Sequence, residues 1–168
     1  MERIEQGLNV LVVWILCGVL IAAFGVQFIL GEQPCPLCLL QRLGMIAVGL
    51  SLLMNVFFGL NVRHYGMALM SALFGGFVAL RQISLHVCPE FNKFGVPVLG
   101  LSLYTWSFIV FECVVLAVAI MLLLHRPKKE SRPLEGIFGW SAFVTLLLIT
   151  VVNVVATLLQ CGLGACVD

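Results

Sequence analysis

Pro34-Cys35-Pro36-Leu37-Cys38-Leu39-Leu40-Gln41-Arg42 stands where one apolar run of this chain ends and the next begins. Upstream, no charge falls between Gln6 and Leu30; downstream, none falls between Leu43 and Val62. A bilayer core needs about 20 apolar residues per helix. The cysteine pair is therefore placed at a membrane edge, between a first span over about Leu8 to Leu30 and a second over about Leu39 to Leu60. Working outward, further spans are predicted over about Tyr65 to Leu85, Tyr104 to Leu124 and Gly136 to Gln160. Of the 168 residues, 62% are hydrophobic and only 10% are charged. A soluble domain carries about 25% charged residues, so so little charge implies an all-α integral membrane protein. A net charge of +1 suggests no nucleic-acid partner. No basic segment followed by a small-residue cleavage site is seen near the start, so the first run reads as a retained helix.

Five spans put the termini on opposite sides. Arg3, Arg63, Arg126, Lys128, Lys129 and Arg132 fall on one side, and Arg42, Arg81 and Lys93 on the other. The positive-inside rule then predicts a cytoplasmic N-terminus and an extracytoplasmic C-terminus. Cys35, Cys38, Cys88, Cys161 and Cys166 fall outside, where disulfides form and persist. Cys17 and Cys113 lie within spans and read as small apolar residues packed between helices.

A C-x-x-C pair at a helix start is suited to redox exchange. Free backbone N–H groups and the helix dipole favour a thiolate there, and Pro36 is tolerated at the first helical position. Arg42, one turn past Cys38, is expected on the same face. Zinc needs four ligands; only His86 and Cys88 offer themselves in addition, and no metal is expected. A structural disulfide is disfavoured because C-x-x-C closes too small a loop. Two electrons leaving a thiol pair at this depth need a lipid-soluble acceptor. A quinone near Arg42 would serve.

The stretch Pro34 to Arg42 resembles the signature of the disulfide bond formation protein B (DsbB) family. Leu80 to His86, followed by Pro97 to Trp106, is similar to that family's loop between helices three and four. The resemblance implies a four-helix bundle over residues 1–124 in a bacterial inner membrane. It implies re-oxidation of a periplasmic, DsbA-like, thioredoxin-fold dithiol protein, with electrons passed to ubiquinone or menaquinone. Cys38 would face the quinone, Cys35 would exchange with a second disulfide, and Arg42 and His86 would match the family's quinone-side residues. Two departures stand out. The loop after the third span holds only Cys88, and residues 125–168 add a basic loop, a fifth span and a tail with Cys161 and Cys166. Either Cys161 pairs with Cys166, or one of them pairs with Cys88; the tail is expected to supply the substrate-facing redox pair. The rival readings are a membrane reductase resembling vitamin K epoxide reductase and a non-enzymatic metal-handling membrane protein.

Other expectations concern charge and aromatic residues. Glu112, deep in the fourth span, is expected to be protonated and bonded to a neighbouring helix. Arg81 is expected to meet Glu32 or Glu90, or the headgroups. Tyr104 and Trp106 read as interfacial residues. The apolar loop from Val87 to Ser102 reads as a surface-lying segment. His64 and His125 are given no specific role.

Overall fold

A computed structural model describes residues 2–31, 35–87, 98, 100–125 and 136–162. Five helices run through them: α1 (Glu2–Leu30), α2 (Pro36–Phe57), α3 (Val62–Val87), α4 (Leu103–Leu124) and α5 (Ile137–Cys161). Each is long and apolar enough to cross a membrane, and the chain is an all-helical membrane protein. The helices begin and end within a few residues of the expected spans. α1 overshoots most, because Glu5, Gln6 and Asn9 are drawn into the bundle rather than left in water.

The helices pack as two unequal groups around α2. Its broadest interface is with α3, and α3 in turn carries α4. On its other side α2 meets both α1 and α5, which also pack on each other. Two glycines explain the tight α2–α3 approach. At Gly44 an added Cβ would lie 3.2 Å from the Gly75 Cα and 3.2 Å from the Phe111 ring, and at Gly75 it would collide with that ring. Phe111 of α4, fully buried, is thus a wedge seated in a two-glycine notch. Small residues at such contacts let membrane helices come together.

The α2–α3 hairpin is closed by local chemistry. Gly59 adopts φ 89°, a left-handed conformation that glycine takes without strain. Asn61 donates its backbone N–H to Asn55 Oδ1 at 3.0 Å, and its own Oδ1 accepts from the Arg63 N–H at 2.9 Å.

That end of the bundle holds a buried polar network. Asn9 Nδ2 donates to the Tyr65 hydroxyl at 2.8 Å, and Asn55 Nδ2 donates to Asn9 Oδ1 at 3.1 Å. The Tyr65 hydroxyl donates to Glu5 at 3.0 Å, and His125 Nδ1 lies 2.8 Å from the same carboxylate. His64 Nδ1 sits 3.0 Å from Asn55 Oδ1. The two histidines given no role by the sequence therefore belong to a network that ties α1, α2, α3 and the end of α4.

Two intramembrane residues turn out otherwise than expected. Cys17 is buried, as expected, but Cys113 is exposed on the outer surface of the bundle. Its neighbour Glu112 is also exposed and, among the described residues, bonds to no other helix. The fourth helix is apolar all round, so sequence periodicity does not reveal which face turns inward; the Phe111 wedge decides it.

Candidate functional site: a thiol pair at the start of the second helix

The chain leaves extended conformation and enters α2 at Cys35. This residue is the N-cap, with φ −69° and ψ 159°, and Pro36 occupies the first turn. Its sulfur accepts the Cys38 backbone N–H at 3.3 Å, taking the part an oxygen plays in an ordinary cap. The cap folds the C-x-x-C turn so that the two free thiols lie with Sγ atoms 2.8 Å apart. The Cys35 thiol is pushed well up from its ordinary pKa, first by its hydrogen bond with Cys38 and then by burial.

The third member is Gln82 of α3, which sequence reasoning did not single out. Only 1% exposed, it places Nε2 3.2 Å from Cys35 Sγ and 3.5 Å from Cys38 Sγ. Its Oε1 is held at 2.7 Å by Nε2 of Gln41, one turn into α2 from Cys38. The carboxamide is thereby fixed with its N–H groups towards sulfur, where a donor stabilises the negative charge of an exchanging thiolate. The sequence signal for it is a polar, uncharged residue beside Arg81 within a span; its burial follows only from the packing of α3 on α2.

Arg42 is buried, at 8% exposed, and reaches towards α1. Its Nη1 donates to Gln27 Oε1 at 2.6 Å and its Nη2 to the Ala23 carbonyl at 3.3 Å. The guanidinium carbon sits 4.4 Å from the centre of the Phe24 ring. A charge at this depth is expensive, and amide, carbonyl and ring face together hold it. The expected one-turn spacing from Cys38 is present, but the nearest neighbour of the sulfurs is the Gln82 amide.

His86 lies one turn beyond Gln82. Its Nδ1–H donates to the Gln82 carbonyl at 2.8 Å, and its ring stacks on Tyr104 at 5.1 Å. Trp106 donates its indole N–H to the Val98 carbonyl at 3.0 Å. The two aromatics expected at the interface therefore also pin the start of α4. Arg81 is exposed; its expected partners Glu32 and Glu90 lie outside the described residues. So do Cys88, Cys166, the Cys161 side chain and most of the loop from Val87 to Ser102. Among the described residues no three His, Cys, Asp or Glu side chains converge on a common point.

A dithiol at a capped helix start, an amide donor on both sulfurs and a buried arginine one turn on have the chemistry that thiol exchange requires. Comparison with known proteins gives the family. Residues 5–123 match the family model described as Disulfide bond formation protein DsbB. This chain belongs to the DsbB family. It is similar to proteins named Disulfide bond formation protein B from Cupriavidus pinatubonensis, 30% identical over 79% of this chain and 100% of the relative, and from Ralstonia nicotianae, 28% identical over 77% and 100%. A shorter stretch, 38% of this chain and 40% of the relative, is 43% identical to the protein of that name from Chromobacterium violaceum. No solved structure matches the chain. As a DsbB-family member it is a membrane oxidoreductase of disulfide bond formation, and so of protein folding. The family match ends at residue 123, and α5 lies beyond it.

Proposed function

We propose that this DsbB-family protein re-oxidises a thioredoxin-fold, DsbA-like dithiol protein in the periplasm of a bacterial cell and passes the electrons through Cys35 and Cys38 to a membrane quinone. The observation that carries this reading is the thiol pair under the Gln82 amide, one helical turn from a buried arginine. The cysteine end faces the periplasm in this reading and the Glu5–His125 end the cytoplasm, as the loop charges indicate. Residues 1–124 form the redox domain, and residues 125–168 add the fifth helix and the cysteine-bearing tail.

The chain's own residues divide the work. A disulfide drawn from Cys88, Cys161 and Cys166 accepts the thiolate of the reduced partner. Its thiols then reduce the Cys35–Cys38 disulfide: a thiolate attacks Cys35, the S–S bond breaks and Cys38 leaves as thiolate. The Gln82 N–H groups stabilise that leaving charge. Cys35, freed when the mixed disulfide resolves, holds a proton that it releases when it bonds again to Cys38. A bound ubiquinone or menaquinone supplies the sink for the two electrons and two protons that re-forming the disulfide sets free. The residues suit such a group. An arginine has five N–H donors, and Arg42 commits two among the described residues, which leaves donors for a carbonyl oxygen. Phe24 gives a flat apolar face. His86 closes the same end of α3 and serves as a second residue on the acceptor side.

The test uses the purified full-length protein, a reduced thioredoxin-fold dithiol partner and a short-chain ubiquinone or menaquinone. Quinone absorbance should fall with partner oxidation, and Cys38→Ser should abolish it. Tight zinc binding with no quinone reduction would overturn the reading. Serine replacements at Cys88, Cys161 and Cys166, one at a time, identify the substrate-facing pair: turnover that survives all three removes them from the mechanism.

A further inference from the structure

The buried face of α5 consists of Gly139, Ala142, Leu146, Ile149, Asn153 and Ala156. Their spacing alternates four and three residues, the pattern of a tightly packed helix seam. Asn153 is the polar member. It is only 5% exposed, and its Oδ1 is buried with no hydrogen-bond partner among the described residues. An unpaired buried carbonyl is a penalty that an apolar side chain in the same seam would avoid. Polar residues that merely join membrane helices bond across the interface; among the described residues this oxygen bonds to none.

The register shows what it stands opposite. α2 and α5 meet at Gly49, where an added Cβ would lie 2.9 Å from Leu146 Cδ2. The helices of successive spans alternate in direction, so α2 runs away from the cysteine end and α5 runs towards it. Seven residues return a helix to nearly the same face and advance it by about 10.5 Å. Seven residues from Gly49 towards the cysteine end is Arg42; seven from Leu146 in the same direction is Asn153. The two therefore share a depth and a seam. α1, which packs against both α2 and α5, contributes Gln27 and Phe24, the residues that hold Arg42.

We propose that the fifth helix completes the acceptor site: Asn153 Oδ1 accepts a hydrogen bond from a hydroxyl of the reduced quinone, beside Arg42, whose spare N–H groups serve a carbonyl of the oxidised form. This rests on the quinone reading above and assigns α5 a part in it. An atom that only accepts favours a ligand that donates, so Asn153 discriminates between the two redox forms. Hydroquinone carries the O–H that quinone lacks.

The test is equilibrium binding, made in a Cys38→Ser background so that no electrons move. Short-chain ubiquinol and menaquinol, and the matching quinones, are titrated anaerobically against the full-length protein with Asn153 or with Asn153→Leu, following tryptophan fluorescence. Thermal unfolding of the ligand-free proteins is measured in parallel. Quinol affinity should fall about fivefold, the loss of one ordinary hydrogen bond, with quinone affinity changed less than about twofold. The ligand-free Leu variant should melt at the same temperature or higher, because it loses an unpaired polar group. Unchanged quinol affinity overturns the proposal, and so does a lowered melting temperature with unchanged affinity, which marks a helix-joining role. Should the Leu variant not fold, Asn153→Ala is read the same way. If the protein with Asn153 intact binds neither form, the quinone reading itself falls and this inference with it.

Discussion

The two ends of the helix bundle solve the problem of burying polar groups in opposite ways. At the end that holds Glu5, Asn9, Asn55, Tyr65 and His125, each of these side chains bonds to another, and four helices are tied by the result. At the cysteine end, valences are left open. Two thiols face an amide, a guanidinium holds N–H groups in reserve, and a buried carbonyl oxygen on α5 has no partner among the described residues. Satisfied polar groups in a membrane fix a structure; unsatisfied ones leave bonds for a ligand to make.

That contrast is broken most severely from the middle. Gly75→Leu drives a side chain into the Phe111 ring and should destabilise the protein by about 3 kcal/mol, as overpacking does; thermal unfolding in detergent measures it, and both ends should fail together. Asn9→Leu attacks the satisfied end alone. It takes one of two partners from the Tyr65 hydroxyl, strands the Asn55 amide and should lower stability by about 2 kcal/mol, while the alkylation rate of Cys35 and Cys38 stays as it was. Gln82→Leu does the converse. Thiol–disulfide exchange at the pair, followed by labelling kinetics, should slow about tenfold, the value of a hydrogen bond to a charged group, and the Gln41 amide left without its partner should lower stability by about 1 kcal/mol. The smallest effect is expected from His125→Gln, about 0.5 kcal/mol, since Glu5 keeps the Tyr65 hydroxyl. A large loss of exchange rate in Asn9→Leu would show that the ends are coupled.

Much of this was legible in the sequence because membrane helices announce themselves by length. The five apolar runs placed the spans, and a cysteine pair with Pro36 at a run's start placed the thiols at a helix cap. What escaped was everything that depends on the rotation of one helix against another. Glu112 and Cys113 look inward on a helix whose apolar residues surround it, yet they face out. Gln82 becomes a neighbour of sulfur only when α3 is set against α2, and Asn153 becomes a buried orphan only when α5 is set against α1 and α2. His64 and His125 sit beside loop charges in the sequence, but their partners come from helix faces far away in the chain. Apolar runs report depth in a membrane; they say little about azimuth.

The Phe111 wedge makes the site a lever. Gly75 lies seven residues from Gln82, about 10.5 Å along α3, and Gly44 lies close to Gln41 on α2. The notch is the fulcrum, and the amide is the tip of the arm. Over that arm a tilt of ~5° moves Gln82 by about 1 Å, enough to bring its N–H groups onto the sulfurs or carry them off. A small rotation of α3 about the notch would change the reactivity of the thiols from about 10 Å away.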